Sequence, residues 1–242
     1  MQGDQRRLYG DLAWVWPIVS PKEKYIEEAE GVCQAIWGYS QIEAKDILHL
    51  GCGGGHLDYT LKKYFAVTSV DISDKMLALA RQLNPEVTYH LDDMRTVRLN
   101  RTFDAVLIAD SIDYMLTVED LQAAIMTAHA HLKPGGILYT YAEEIAELFR
   151  QNKTGYDVGA AGNVHVAFFE NRYDPDPTDT TYEMVFVYLI RHDGQLTIET
   201  DRHLGGLFPL ETWLDTLKEV GFAVRLIEDG VVPTTFVCVK QS

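Results

Sequence analysis

The sequence predicts an α/β fold: a mostly parallel sheet covered by helices on both faces, with an antiparallel segment set into it. Three observations carry this. From Asp46 to Thr140 strand-like and helix-like segments alternate, as parallel strands joined by crossover helices do. After Gln151 the helices stop and three strand-like segments follow one another. Near the C-terminus two strands lie too close together for a crossover helix and must pair antiparallel.

Taken in order, "DILHL" is a buried strand that runs into a glycine turn, and a helix is expected from about Gly55 to Tyr64. "AVTSV" is the second strand. "SDKMLALARQL" is a helix with Ser73 as its N-cap. "VTYHL" and "FDAVLIA" are the third and fourth strands. "TVEDLQAAIMTAHAHL" is a long helix capped by Thr117 and stopped by "KPGG", and "ILYTYA" is the fifth strand. The antiparallel insert, 155–206, contains "HVAFFENRYD", "TYEMVFVYLIRH" and "QLTIETDRHL", with Asp193-Gly194 as a tight hairpin between the last two. "PLETWLDTLKEVG" is the closing helix, followed by the strands "AVRLIED" and "TTFVCVK".

The chain has 242 residues, 47% hydrophobic and 24% charged, the balance of a globular protein. No apolar run reaches bilayer length, and the N-terminus lacks the layout of a signal peptide. Three cysteines fit a reducing cytosol better than a disulfide framework, so a cytoplasmic protein is expected. The net charge of −15 argues against nucleic acid or an anionic membrane as partner.

A strand entering a glycine turn and then a helix suits a nucleotide-like cofactor, because missing Cβ atoms admit the ligand close to the backbone. The alternative is an ordinary tight turn. Three features favour the cofactor. Asp71 ends the second strand, where a carboxylate can accept both hydroxyls of a ribose. The motif Gly51, Gly53, Gly55 has His56 where a dinucleotide fingerprint needs glycine, which disfavours a nicotinamide-dependent oxidoreductase. Asp92 or Asp93 can accept from an adenine amino group while Met94 covers the ring.

The stretches "LHLGCGGGH", "VDIS…ML", "LDDM", "FDAVLIADS" and "LKPGG" resemble class I S-adenosylmethionine-dependent methyltransferases. The resemblance implies a Rossmann-like seven-stranded sheet, here with an inserted antiparallel three-stranded β segment, in a single domain over 1–242. It implies S-adenosyl-L-methionine as cofactor, no metal, and a shell formed by Tyr9, His49, Gly51, Cys52, Gly53, Asp71, Ile72, Met76, Asp92, Asp93, Met94 and Ala109. "YGDLAW", "MRTVRLNRTFDAV", "SIDYML" and "DRHLGGLF" are similar to bacterial N-methyltransferases of nucleotide-linked amino sugars. That branch implies a helical lid over 1–40, with Tyr9 reaching the site, and an acceptor pocket formed in part by 155–206. It has serines and a glycine after strand four, where this chain has Asp110-Ser111-Ile112-Asp113.

Asp110, Tyr114 and His203 are the candidate catalytic residues. Asp110 and Asp113 are either solvated loop carboxylates or groups that attract an amine and take its proton. Tyr114 is either a half-buried aromatic or an acceptor contact, and His203 either a strand-end histidine or part of the site. Cys52 reads as a space-filler. The expected activity is methyl transfer to a small molecule, most naturally an amine. The alternatives are O-methylation and a non-catalytic cofactor-binding protein. The aromatic face of the insert offers a homodimer interface as an alternative to a pocket wall.

Overall fold

The computed structural model describes residues 6–227 and 234–241. Residues 1–5 of the expected lid and 228–229 of the expected penultimate strand lie outside these. The N-terminal segment is a series of short turns: 3-10 turns at Arg7–Tyr9 and Ala13–Val15, α1 (Trp16–Val19), a 3-10 turn at Lys22–Tyr25, then α2 (Ile26–Tyr39). The alternating region follows as β1 (Asp46–Leu50), α3 (Asp58–Leu61), β2 (Ala66–Asp71), α4 (Asp74–Leu83), β3 (Thr88–Leu91), β4 (Phe103–Ile108), a 3-10 turn at Asp110–Tyr114, α5 (Val118–His131) and β5 (Leu132–Tyr141). The insert is β6 (Lys153–Ala161), β7 (Val164–Tyr173), β8 (Thr181–His192) and β9 (Gln195–Gly206). Then come α6 (Leu210–Glu219), β10 (Phe222–Ile227) and β11 (Thr235–Lys240).

The main sheet has seven strands in the order β10-β11-β5-β4-β1-β2-β3. β11 runs antiparallel to both β10 and β5; the other pairings are parallel. The order reverses between β1 and β4, and a ligand crevice is expected beyond the carboxyl ends of those strands. Strand alternation sends Leu48, Leu50, Val106 and Ile108 to one face against α5 and α6, and Ile47, Ala105 and Leu107 to the other against α2. A third core joins Leu8, Leu12, Val15 and Val19 to the inner face of the insert, where Phe168, Tyr182, Phe186 and Tyr188 are buried.

Two predicted helix caps are present: the Ser73 side chain accepts from Met76 N at 3.0 Å, and that of Thr117 from Asp120 N at 3.2 Å. The predicted hairpin is present too, with Asp193 and Gly194 at φ 50° and 81°, as a two-residue primed turn requires.

Three expectations need correction. The insert has four strands, not three, and starts at Lys153. "KTGYDVGAA" alternates only briefly, with Tyr156 and Val158 on the exposed side and glycines and Asp157 opposite, because it is a largely exposed edge strand. Its Gly159 lies against the Ile18 carbonyl, with no room for a Cβ. The helix after the glycine turn is one turn, Asp58–Leu61, because Gly51, Gly53 and Gly55 keep positive φ and delay it. "KPGG" does not separate α5 from β5. It lies within β5 as an irregularity beside Phe103–Ala105, with Gly136 pressed against the Asp104 carbonyl.

Candidate active site

A cavity of about 620 Å³ opens between the carboxyl ends of β1, β2 and β4, the N-terminal segment and the inner face of the insert. It brings together all but one of the candidate catalytic and cofactor-shell residues. Tyr9, His49, Gly51, Cys52, Gly53, Asp71, Ile72, Met76, Asp92, Asp93, Met94, Asp110, Tyr114 and His203 line it; Ala109 is buried and does not. Trp16 is also in the wall, whereas Trp14 is exposed outside it.

The β1–β2 side is built from backbone. Gly51 N and Cys52 N both donate to the Val70 carbonyl, at 2.8 and 3.1 Å. Gly53 N donates to Asp71 Oδ2 at 2.7 Å and Ser73 N to Oδ1 at 2.8 Å, so one carboxylate fixes both the turn and the start of α4. Each oxygen keeps acceptor capacity toward the cavity. Burial pushes the Asp71 carboxyl up, and these two amides oppose it. A Cβ on Gly53 would meet no protein atom within 4 Å, so its missing side chain leaves open room. Gly51 is glycine for another reason: a Cβ there would collide with Ser111 and Met94.

His49 is buried with Nδ1 2.7 Å from Asp58 Oδ1, while its Nε2 has no partner. Asp58, fully buried, also accepts from Ser69 Oγ at 2.9 Å and the Tyr89 hydroxyl at 3.1 Å. Asp93 is committed to Arg95 at 2.6 Å, which holds its carboxyl low against the opposing effect of burial. Asp92 is thereby the freer acceptor of the pair. Burial raises the Cys52 thiol well above its ordinary value, so it is not a nucleophile. Open room at Gly53, an oriented carboxylate at Asp71 and an orphan ring nitrogen at His49 fit S-adenosylmethionine.

The opposite side is built from side chains of distant segments. The Tyr9 hydroxyl donates to the Tyr114 hydroxyl at 2.8 Å, Tyr114 lies 2.8 Å from His203 Nδ1, and His203 Nε2 lies 2.7 Å from Asp201 Oδ2. With Asp201 ionised, Nε2 carries the imidazole hydrogen and Nδ1 its lone pair, so Tyr114 donates to the ring. Burial opposes ionisation of Asp201, but its bond to His203 brings the carboxyl below its ordinary value. Burial raises both Tyr9 and Tyr114. Asp201 Oδ2 also accepts Leu8 N at 2.7 Å. Sequence reasoning missed Asp201, although it stands two residues before His203, on the same face of a strand.

A third group is acidic. Asp110, open to the cavity, has its carboxyl pushed up to about 7 by desolvation and by the charges of Glu143 and Glu28. Asp113 is 5% exposed and raised well above its ordinary value by burial, then by Glu143 and Asp110. Sequence reasoning also missed Glu28, Glu143, Glu170 and Arg172. Glu143 follows the end of β5, the edge where sites of this architecture form, and that signal could have found it.

Residues 47–136 match the family model described as a methyltransferase domain. A dTDP-3-amino-3,4,6-trideoxy-alpha-D-glucopyranose N,N-dimethyltransferase of Streptomyces venezuelae is 33% identical over 55% of this chain and 57% of its own, so the match spans little more than half of that relative. A dTDP-3-amino-3,6-dideoxy-alpha-D-glucopyranose N,N-dimethyltransferase of Streptomyces fradiae is 25% identical over 94% of this chain and 90% of its own. Among solved structures, Streptomyces venezuelae DesVI superposes with a TM-score of 0.84 at 27% identity, covering 95% of this chain and 96% of that one. CalS10, an amino pentose methyltransferase from Micromonospora echinaspora solved with S-adenosylmethionine bound, gives 0.80 at 26% identity, covering 90% and 92%.

Proposed function

We propose that the chain is a class I S-adenosylmethionine-dependent methyltransferase that methylates the amine nitrogen of a small molecule of the amino-sugar class, a reading supported by the methyltransferase-domain match and by the likeness to amino-sugar N-methyltransferases. The observation that carries this reading is the Tyr9–Tyr114–His203–Asp201 chain of hydrogen bonds in the cavity that also contains the glycine turn and Asp71.

When bound, S-adenosylmethionine supplies a methyl group on a positively charged sulfur for in-line displacement. In this reading Asp71 accepts the ribose hydroxyls, Asp92 the adenine amino group, and Gly53 leaves space for the ligand's approach. An amine that enters as ammonium must give up a proton before it can attack. The Tyr114 oxygen accepts that proton while passing its own to His203 Nδ1, and Asp201 stabilises the resulting imidazolium. The segment from Arg6 to Tyr39 acts as a lid, contributing Tyr9. The insert walls the acceptor side with Phe168, Tyr182 and Phe186. That aromatic face is buried within the chain, so a homodimer through the insert would use the outer face instead, which exposes Tyr156, Val158 and Ile198. Three free, buried cysteines suit a reducing compartment such as the cytoplasm. Among the described residues no helix is long and apolar enough to cross a membrane.

The test is turnover with S-adenosylmethionine against amino sugars, phenols and carboxylates, read as S-adenosylhomocysteine and methylated product by mass. N-methylation of an amino sugar is the expected result. Transfer to oxygen only, or cofactor binding without transfer to any acceptor, overturns the reading.

A further inference from the structure

The acidic end of the cavity contains more carboxyl groups than methyl transfer to one amine uses. Glu28 on α2, Asp110 and Asp113 on the 3-10 turn after β4, and Glu143 after β5 all line it. Glu28 is engaged by the Tyr141 hydroxyl at 3.0 Å and Glu143 by Arg172 at 2.7 Å. Asp113 is different. It is nine-tenths buried, and neither carboxylate oxygen has a partner at ordinary hydrogen-bond geometry, the Glu143 amide facing it and only partly offsetting the cost of burial. The Tyr182 hydroxyl, on β8 across the same cavity, is also buried and unpartnered. Two orphaned polar groups on separate elements leave a desolvation cost that a bound donor would offset.

Resting on the N-methyltransferase reading, we propose that Asp113, with Tyr182, binds a second ammonium group of the acceptor, so that the substrate is a diamino sugar or aminocyclitol without a phosphate at that end. The nitrogen that attacks must be neutral, whereas buried carboxyls favour the charged ammonium. The caged nitrogen therefore anchors the acceptor, and a different nitrogen reacts beside Tyr114. An ammonium has three donors, enough for Asp113 and Tyr182 together. The acidic end offers a phosphate poor terms. Arg172 there is shared among Glu143, Glu144 and Glu170; elsewhere in the wall Arg95 is shared between Asp93 and Asp120, Arg202 pairs with Glu183, and Arg6 lies over the Tyr9 and Tyr114 rings. Among the described residues no group of three or more His, Cys, Asp or Glu converges as a metal site.

The test is calorimetric binding to the S-adenosylhomocysteine-loaded protein, which does not depend on turnover. The probes are 2-deoxystreptamine, a diaminocyclitol, and glucosamine, a monoamine. The diamine should bind at least about tenfold more tightly, the worth of one charge-assisted contact. Asp113→Asn should bring the ratio below about threefold, and Tyr182→Phe should lower it partway, both with S-adenosylhomocysteine affinity held within about twofold. Equal binding of the two probes by the parent protein overturns the proposal. So does tighter binding of a dTDP-linked monoamino sugar than of the diamine. Loss of S-adenosylhomocysteine affinity in Asp113→Asn also overturns it, by assigning the carboxyl to the cofactor. Absence of methyl transfer to any amine, with the binding preference intact, refutes the enzymatic reading and leaves the cation site standing.

Discussion

The two sides of the cavity are made of different material. The β1–β2 side is backbone from one stretch of chain, Gly51 to Ser73, tied by amides to a single carboxylate. The insert side is side chain meeting side chain: Tyr9, Tyr114, Asp201 and His203 come from segments more than eighty residues apart. A backbone cradle tolerates change poorly at its glycines but changes little with its neighbours. A side-chain network can lose one member, keep its fold, and lose one function. Substitutions on the two sides should therefore fail in different ways.

The largest effect is expected at Gly53. Its φ of +53° disfavours a branched residue, and a side chain would enter the open room beside the turn. Gly53→Val should weaken S-adenosylhomocysteine binding by more than about 100-fold, the strain and the lost contacts together exceeding about 3 kcal/mol. Near-parental affinity in a folded variant would reduce the turn to a structural role. Next is His203→Asn, which should lower kcat by about 10²–10³ through loss of the proton acceptor while cofactor affinity stays within about twofold. If both fall together, the two sides are not separable. Asp71→Ala should cost about 1.5–3 kcal/mol of cofactor affinity, with the lost charge-assisted bonds as the cause.

The smallest effect concerns stability. The Asp110 carboxyl lies at about 7, above its ordinary value, so the folded protein holds a proton that the unfolded chain releases near pH 4. Stability from this group is highest below pH 4 and declines as pH rises to about 7. Asp110→Asn should therefore raise the Tm of the ligand-free protein at pH 8 and leave it nearly unchanged at pH 4. A pH-independent difference between the two proteins would remove Asp110 from the list of perturbed acids.

The contrast also explains what could be read from sequence. The glycine turn, Asp71, the Ser73 cap and the Asp193-Gly194 hairpin are local: each follows from residues a few positions apart. Tyr114 and His203 were reached through a resemblance, and the bond between them could not be, since chain distance carries no record of a contact made across β8 and β9. Glu28 has no local signature, because its carboxyl matters only where α2 brings it beside Asp110; Glu143 had one, its place just after β5, but its pairing with Asp110 is equally non-local. β6 was missed for a related reason: its outward face is wet and its glycine at 159 answers to Ile18, far upstream.

One oxygen, Asp201 Oδ2, accepts from both Leu8 N and His203 Nε2. The same short turn, Arg7–Tyr9, delivers the Tyr9 hydroxyl to the other end of the chain. Withdrawal of three residues thus strips the network at both ends in a single event. Under the proposed lid role this amounts to an interlock: a cavity uncovered for exchange would have a disarmed proton acceptor, and chemistry would be confined to the covered state.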